Sequence, residues 1–352
     1  MSGGILDKYE RLLPVGADTP RLSLCEGNTP LIYLKNLSQK LGVDLRVKFE
    51  GLNPTGSFKD RGMVMAVAKA VENGAKALVC ASTGNTSASA AAYAAHAGIP
   101  CFVILPAGYV AMGKLTQALV YGAKVISIQG NFDKALELAR QASEEMGLAI
   151  VNSVNPYRLV GQRTASWEIC DELGDSPDWL LIPVGNAGNI SSYHAGFEQY
   201  IKIGRCSSLP QLKGIQAEGS APLVNKCSVD NPETVATAIR IGHPVSYSKA
   251  CNAVKRSHGE FMSVSDEEIL EAQRILAATD GIFAEPASCT TIASLLKLAD
   301  RGILPCDKKI VCILTGNGLK DPDAPLPGLK GPQEIEGSWA ALKEVLSNET
   351  SS

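Results

Sequence analysis

The stretch NPTGSFKDRG, Asn53–Gly62, sets a lysine among small, polar and turn-forming residues just ahead of an apolar run. A charged lysine tip ordinarily goes to water, so the plain alternative for Lys59 is a solvated loop side chain. The chemical reading is an amine nucleophile, which must spend part of its time uncharged. The segment after it, DRGMVMAVAKAVENG, has a helical pattern. The positive end of a helix dipole disfavours an ammonium at its start, and burial would lower the amine pKa further. Asp60 and Arg61 follow directly and could offset either effect.

Three other polar turns carry unusual side chains, and each follows an apolar run. ASTGNTSAS (Ala81–Ser89) follows KALVC. Hydroxyls, a glycine and an amide at a helix start offer free N–H groups to an anion; a simple N-cap needs only one such residue. GNAGN (Gly185–Asn189) follows LLIPV. Its two glycines allow close backbone approach to a phosphate, although it has neither GxGxxG spacing nor a P-loop lysine; the alternative is a tight βα turn. LTGNGLKD (Leu314–Asp321) also ends an apolar run. Thr315 and Asn317 there are either turn residues or further polar groups for the same crevice. Ligands of open parallel sheets bind beyond the carboxyl ends of the strands, where all three turns would lie.

The elements that must position these turns follow from the hydrophobic pattern. Lys76–Ser82, Cys101–Pro106, Lys124–Gly130, Asp178–Gly185 and Lys308–Gly316 read as buried strands, most of them followed by helical patterns. Such alternation means βαβ units on parallel sheets, with right-handed crossovers and helices on both faces. The polar, Pro-containing stretch Asn152–Thr164 is the natural internal boundary. We divide the chain into a smaller α/β domain, 54–151, and a larger one made of 1–53 and 152–352, with 347–352 a disordered tail.

Composition narrows the function. The 352 residues are 45% hydrophobic and 20% charged, with a net charge of −3 and 5% aromatic residues. That gives no basic footprint and few stacking rings for nucleic acid. Ten cysteines without a CxxC pair, several inside apolar runs, read as small buried hydrophobes in a reducing compartment. Four scattered histidines give no zinc spacing, so no metal is expected. The first residues lack the pattern of a signal or transit peptide, and no apolar run is long enough for a bilayer. We expect a soluble cytoplasmic protein with neither nucleic-acid nor membrane partners.

Taken in order, GNTPLIYL (Gly27–Leu34), NPTGSFKDRG, STGNTS, NSVNPYR, GNAGN, EPAS (Glu285–Ser288) and LTGNGLKD resemble the fold-type II pyridoxal-phosphate enzymes, the tryptophan synthase β family. Among them the chain is most similar to the shorter, bacterial-type threonine synthases, over nearly its whole length. The resemblance implies two open twisted, mostly parallel-sheet α/β domains with helices on both faces and pyridoxal 5'-phosphate in the cleft between them. It implies that Lys59 forms the Schiff base, that Phe58 packs near the ring, and that Asn85 bonds the phenolic oxygen. Gly185, Asn186, Ala187, Gly188 and Asn189 would cradle the cofactor phosphate, and Thr315 would meet the pyridine nitrogen. Ser82, Thr83 and Thr86 would hold the substrate carboxylate or phosphate, and Asn152, Ser153 and Arg158 the substrate phosphate.

The implied reaction converts O-phospho-L-homoserine and water to L-threonine and phosphate, by γ-elimination and β-addition, in a homodimer. The alternatives are a threonine or serine dehydratase and an inactive cofactor-binding homologue. GNAGN, in place of a run of glycines, favours the synthase. So does Arg158 in NSVNPYR, because the planar guanidinium fork suits a second phosphate. With little chain ahead of the lysine motif, no activation by S-adenosylmethionine is expected.

Overall fold

The computed structural model describes residues 3–350 apart from 83, 109–111, 323, 325–328 and 330. Its strands are β1 (Leu31–Tyr33), β2 (Asp44–Phe49), β3 (Leu78–Ala81), β4 (Cys101–Pro106), β5 (Lys124–Ile128), β6 (Ala149–Ile150), β7 (Trp179–Pro183), β8 (Gln211–Ala217), β9 (Glu260–Val264) and β10 (Lys309–Leu314). They form a six-stranded sheet, β1-β2-β10-β7-β8-β9, and a four-stranded sheet, β5-β4-β3-β6. All neighbours are parallel except β1, which runs antiparallel to β2.

The five apolar runs of the sequence form β3, β4, β5, β7 and β10. β5 is a sheet edge with mostly exposed side chains, so it is not the buried strand expected; on the other four, side chains alternate between two cores, as a strand period of two requires. On β10, Val311 and Ile313 enter one core while Ile310, Cys312 and Leu314 enter the other; β7 does the same with Leu180 and Ile182 against Leu181. Both faces of the central strands are therefore covered, which is why those runs are continuously apolar. β8 gives no such signal because its polar side chains are buried with partners. Gln216 donates to the Val184 carbonyl at 3.2 Å, and the Lys213 ammonium lies 3.9 Å from the Trp179 ring centre.

β10 arrives last in the chain yet lies between β2 and β7, with Leu314 level with Phe49. The carboxyl ends of strands from distant parts of the sequence thus meet at one edge, the arrangement in which α/β sheets hold ligands. Beyond β10, a helix spans Trp339–Thr350. It covers residues 347–350 of the segment read from sequence as a disordered tail, because the Trp339, Leu342, Leu346 spacing carries the helical pattern into polar residues. Among the described residues no helix is long and apolar enough to cross a membrane.

Candidate active site

Lys59 is the first residue of the helix Lys59–Glu72. The loop ahead of it is fastened to the end of β10: the Phe58 N–H donates to the Thr315 carbonyl at 2.9 Å, the Asn317 N–H to Gly56 at 2.9 Å, and Ser57 and Gly316 form an antiparallel bridge. The two residues after Lys59 are bound elsewhere. Asp60 accepts from the Thr55 N–H and hydroxyl, both at 2.7 Å, and from the Ser89 hydroxyl at 2.6 Å. Arg61 is buried against Glu50 at 2.6 Å and Glu168 at 2.7 Å, and Lys48 closes on Glu168 at 3.1 Å. Both charged neighbours are engaged by other partners, and neither is among the charges that shift Lys59.

This buried cluster sets the first turn of the lysine helix. Burial alone would raise the Glu168 carboxyl, but Arg61 and Lys48 outweigh it and hold it at about 2. Its contribution is therefore present above the ordinary carboxylate range and fades as pH falls toward 2. Glu168→Gln is expected to destabilise the fold by about 3 kcal/mol at neutral pH, since removing one partner leaves buried cations undercompensated. Denaturant unfolding of wild type and variant at pH 7 measures this, and the gap should narrow in acid.

Two glycines bring a second cation close. The helix Pro156–Gln162 crosses the lysine helix where Gly161 meets Gly62: a Cβ on Gly161 would stand 2.1 Å from the Arg61 carbonyl oxygen, and one on Gly62 2.6 Å from the Arg158 carbonyl oxygen. Only backbone can approach so closely. Arg158 is consequently buried beside Lys59. It donates Nη1 to the Val151 carbonyl at 3.0 Å, has no carboxylate partner among the described residues, and keeps a buried Nε without any partner. Burial lowers its pKa to about 10.

Lys59 answers to both effects. Burial first and Arg158 second lower its pKa to about 7, against a smaller upward pull from Glu285. The phenyl ring of Phe58 lies 4.1 Å from the ammonium. In the protein without cofactor, the folded state thus binds fewer protons at Lys59 than the unfolded chain from about pH 7 up to the ordinary lysine range, so this group makes stability rise with pH there. Capture of an aldehyde needs the neutral amine. Its rate is expected to climb about tenfold per pH unit up to pH 7 and then level, where an ordinary lysine would climb to about pH 10. Rates of cofactor uptake by the cofactor-free protein across this range measure it.

The third turn and the first meet on Glu285, the residue before the helix Pro286–Asp300. Its buried carboxylate accepts from the Thr315 hydroxyl at 3.0 Å and from the Asn85 amide at 3.0 Å. Ser288 lies 3.1 Å from the Thr315 hydroxyl. Burial raises the Glu285 carboxyl, opposed by these two donors and by Lys59.

The turn Gly185–Asn189 follows β7 and opens the helix Gly188–Lys202. Ala187 takes a left-handed conformation, φ 63°, and the amide nitrogen and oxygen of Asn189 are both buried without a partner among the described residues. A Cβ on Gly185 would stand 2.9 Å from Ile239 Cα. The free N–H groups of the helix start and an unanswered buried amide can take a phosphate. Asn186 Nδ2 reaches the Ser153 hydroxyl at 3.4 Å, which joins this turn to the Asn152–Arg158 stretch.

The remaining predicted residues divide by engagement. Asn152 pairs through both amide atoms with the Ala81 backbone, at 3.0 and 2.8 Å, so it fixes the approach to the first turn. Ser82 accepts from the Gly84 N–H at 3.3 Å. Thr86 is half-buried in the first turn of the helix Asn85–Ala97. Thr83 lies outside the described residues. Sequence reasoning gave no role to Glu285, Ser288 or Lys320. The Lys320 ammonium bonds the Thr55 carbonyl at 3.1 Å and the Gln117 side chain, and so ties the third turn to the lysine loop. Their signal was only their place inside EPAS and NGLKD.

The family described as pyridoxal-phosphate dependent enzyme matches residues 22–316. A threonine synthase of Synechocystis sp. is 58% identical over 322 residues, 91% of this chain and 84% of the relative. One from Halalkalibacterium halodurans is 56% identical over 320 residues, 91% and 90% of the two chains. Among solved structures, maize serine racemase superposes with a TM-score of 0.73 at 19% identity, covering 92% of this chain and 94% of its own, which is a likeness of fold. The chain belongs to the pyridoxal-phosphate-dependent enzyme family and, within it, to the threonine synthases.

Proposed function

We propose that this protein converts O-phospho-L-homoserine and water to L-threonine and phosphate, using pyridoxal 5'-phosphate. The observation that carries the reading is Arg158: a buried guanidinium with, among the described residues, an unanswered Nε and no carboxylate bonded to it, next to a lysine whose pKa is lowered to about 7. Such a cation is costly unless an anion arrives to meet it. A dehydratase substrate brings no phosphate to do so.

The residues present suit the cofactor. Lys59 would carry it through its amine, Asn85 would meet its phenolic oxygen, Thr315 its ring nitrogen, and Phe58 would flank the ring. Gly185, Asn186, Ala187, Gly188 and Asn189 would hold its phosphate, a role supported by the orphaned Asn189 amide and the left-handed Ala187 at the helix start. When bound, the cofactor takes up the electrons released as substrate protons are lost. Lys59 Nζ then removes the Cα proton of the substrate and later returns one. Ser82, Thr83 and Thr86 orient the substrate carboxylate. Arg158 and Ser153 hold the phosphate as it leaves Cγ, with Asn152 fixing that wall of the site. Water adds at Cβ.

We place the smaller domain at 54–151, a division supported by the four-stranded sheet, whose strands run from Leu78 to Ile150. A homodimer in the cytoplasm completes the proposal. Phosphate release from O-phospho-L-homoserine, matched by threonine, tests the function; its absence, with oxoacid formed from threonine or serine instead, would reject it.

A further inference from the structure

Three segments far apart in the sequence meet at the Thr55 carbonyl. It accepts from the Lys320 ammonium at 3.1 Å and from the Gln117 amide at 3.3 Å, and the Gln117 side-chain oxygen accepts from the same ammonium. Thr55 belongs to the lysine loop, Lys320 follows β10, and Gln117 lies on the helix Met112–Val120, between β4 and β5 in the chain. The junction therefore joins the end of the six-stranded sheet to the layer around the four-stranded one.

Its parts are built to meet. Gly56 is left-handed, φ 86°, and a Cβ there would stand 3.1 Å from Lys320 Cδ, so glycine both permits the turn and lets the lysine stem pass. Asp60 holds the Thr55 N–H and hydroxyl, and Asp321 accepts from the Thr237 hydroxyl at 2.8 Å, which steadies the turn that carries Lys320. Lys320 is half-buried and has no ion pair among the described residues; the carboxylates whose charge reaches it are Glu285 and Asp60. Setting an ammonium against neutral oxygens away from water is a poor source of stability. What it does provide is a fixed spacing.

That spacing reaches the site. Leu115 and Ala118, on the helix of Gln117, are buried in one core with Ala90, Ala91 and Ala94 of the helix Asn85–Ala97. The latter helix begins with Asn85 and Thr86, and its Ser89 is tied to Asp60. A shift of Gln117 is thus a shift of the turn Ala81–Ser89 relative to Lys59.

We propose that Lys320 and Gln117 are positioning residues which, through the Thr55 carbonyl, hold the turn that receives the substrate carboxylate at a fixed distance from Lys59 Nζ. The proposal rests on the reading that Ser82, Thr83 and Thr86 orient that carboxylate and that Lys59 moves the Cα proton. Neither Lys320 nor Gln117 touches the reacting atoms. With the junction intact, the carboxylate and the Cα proton are engaged together. Without it the two halves of the site drift, and a displacement of about 1 Å costs about a hundredfold in rate.

The test uses holoenzyme of the wild type, Lys320→Met, Gln117→Leu, the double variant and Gln117→Glu. Two rates are measured for each: phosphate release from O-phospho-L-homoserine, and exchange of the Cα proton of L-threonine in deuterium oxide, followed by NMR. Lys320→Met should lower kcat about a hundredfold while KM changes less than about fivefold, and should slow the exchange alike. Gln117→Leu should lose about thirtyfold, and the double variant should fall no more than about threefold below Lys320→Met, because both changes open one junction. Gln117→Glu keeps an acceptor for the ammonium and should stay within about threefold of the wild type. A merely structural role predicts losses that follow the melting temperature, multiply in the double variant and are not relieved by glutamate at 117; any of these overturns the proposal, as does Lys320→Met with kcat within about threefold of the wild type. The Gln117 variants decide alone if Lys320→Met does not fold. If the wild type exchanges the Cα proton but releases no phosphate from O-phospho-L-homoserine, the proposed substrate fails and the exchange rates still decide the junction.

Discussion

Lys59→Ala is expected to lose turnover and the visible absorption of bound cofactor together, with kcat falling by about four orders of magnitude. Both follow from one group, since Lys59 carries the cofactor in this account and also moves the Cα proton, and removing a positioned base alone costs about 10²–10⁴. The fold should not suffer. Lys59 makes no ion pair among the described residues, and burial with Arg158 already disfavours its charge, so the alanine protein should unfold at the temperature of the cofactor-free wild type or slightly above. Steady-state kinetics, a visible spectrum and a melting curve on one preparation decide it. An alanine variant with full activity would remove Lys59 from the mechanism.

Arg158→Ala is the second large effect, and it should be selective. kcat/KM for O-phospho-L-homoserine is expected to fall about a thousandfold, the scale for truncating a buried, charge-assisted contact. Any slow dehydration of threonine by the same enzyme should change only a few-fold, because that substrate carries no phosphate. Stability should drop by about 1 kcal/mol, from the bond to the Val151 carbonyl. Losing Arg158 also removes a charge that lowers the Lys59 pKa, so the pH at which cofactor uptake levels should move above 7. Equal losses with both substrates would deny Arg158 its phosphate.

Much of the architecture was legible in the sequence because parallel strands buried on both faces must be apolar without interruption, as in β4, β7 and β10. β8 and β9 were not, since QLKGIQA and EFMSV mix polar groups that find partners only after folding. The polar turns were legible for a different reason: glycines, hydroxyls and amides are concentrated there beyond what capping needs. What no local pattern reveals is which side chains are already engaged. Asn152 looked like Arg158 in the sequence, one polar residue among several in a loop. Folding gives both amide atoms of Asn152 to Ala81 and leaves the Arg158 Nε without a partner. Glu285 was equally hidden. A glutamate before proline at a helix start is ordinary, and only the assembled sheets put Asn85 and Thr315, two hundred and thirty residues apart, on its two oxygens.

The central claim is that the second anion this site receives is the substrate's own phosphate. It is tested most directly by incubating the holoenzyme with O-phospho-L-homoserine and measuring phosphate and threonine together. The account predicts both, in equal amounts, with little oxoacid. Oxoacid and ammonia from threonine or serine, with no phosphate released from O-phospho-L-homoserine, would contradict it.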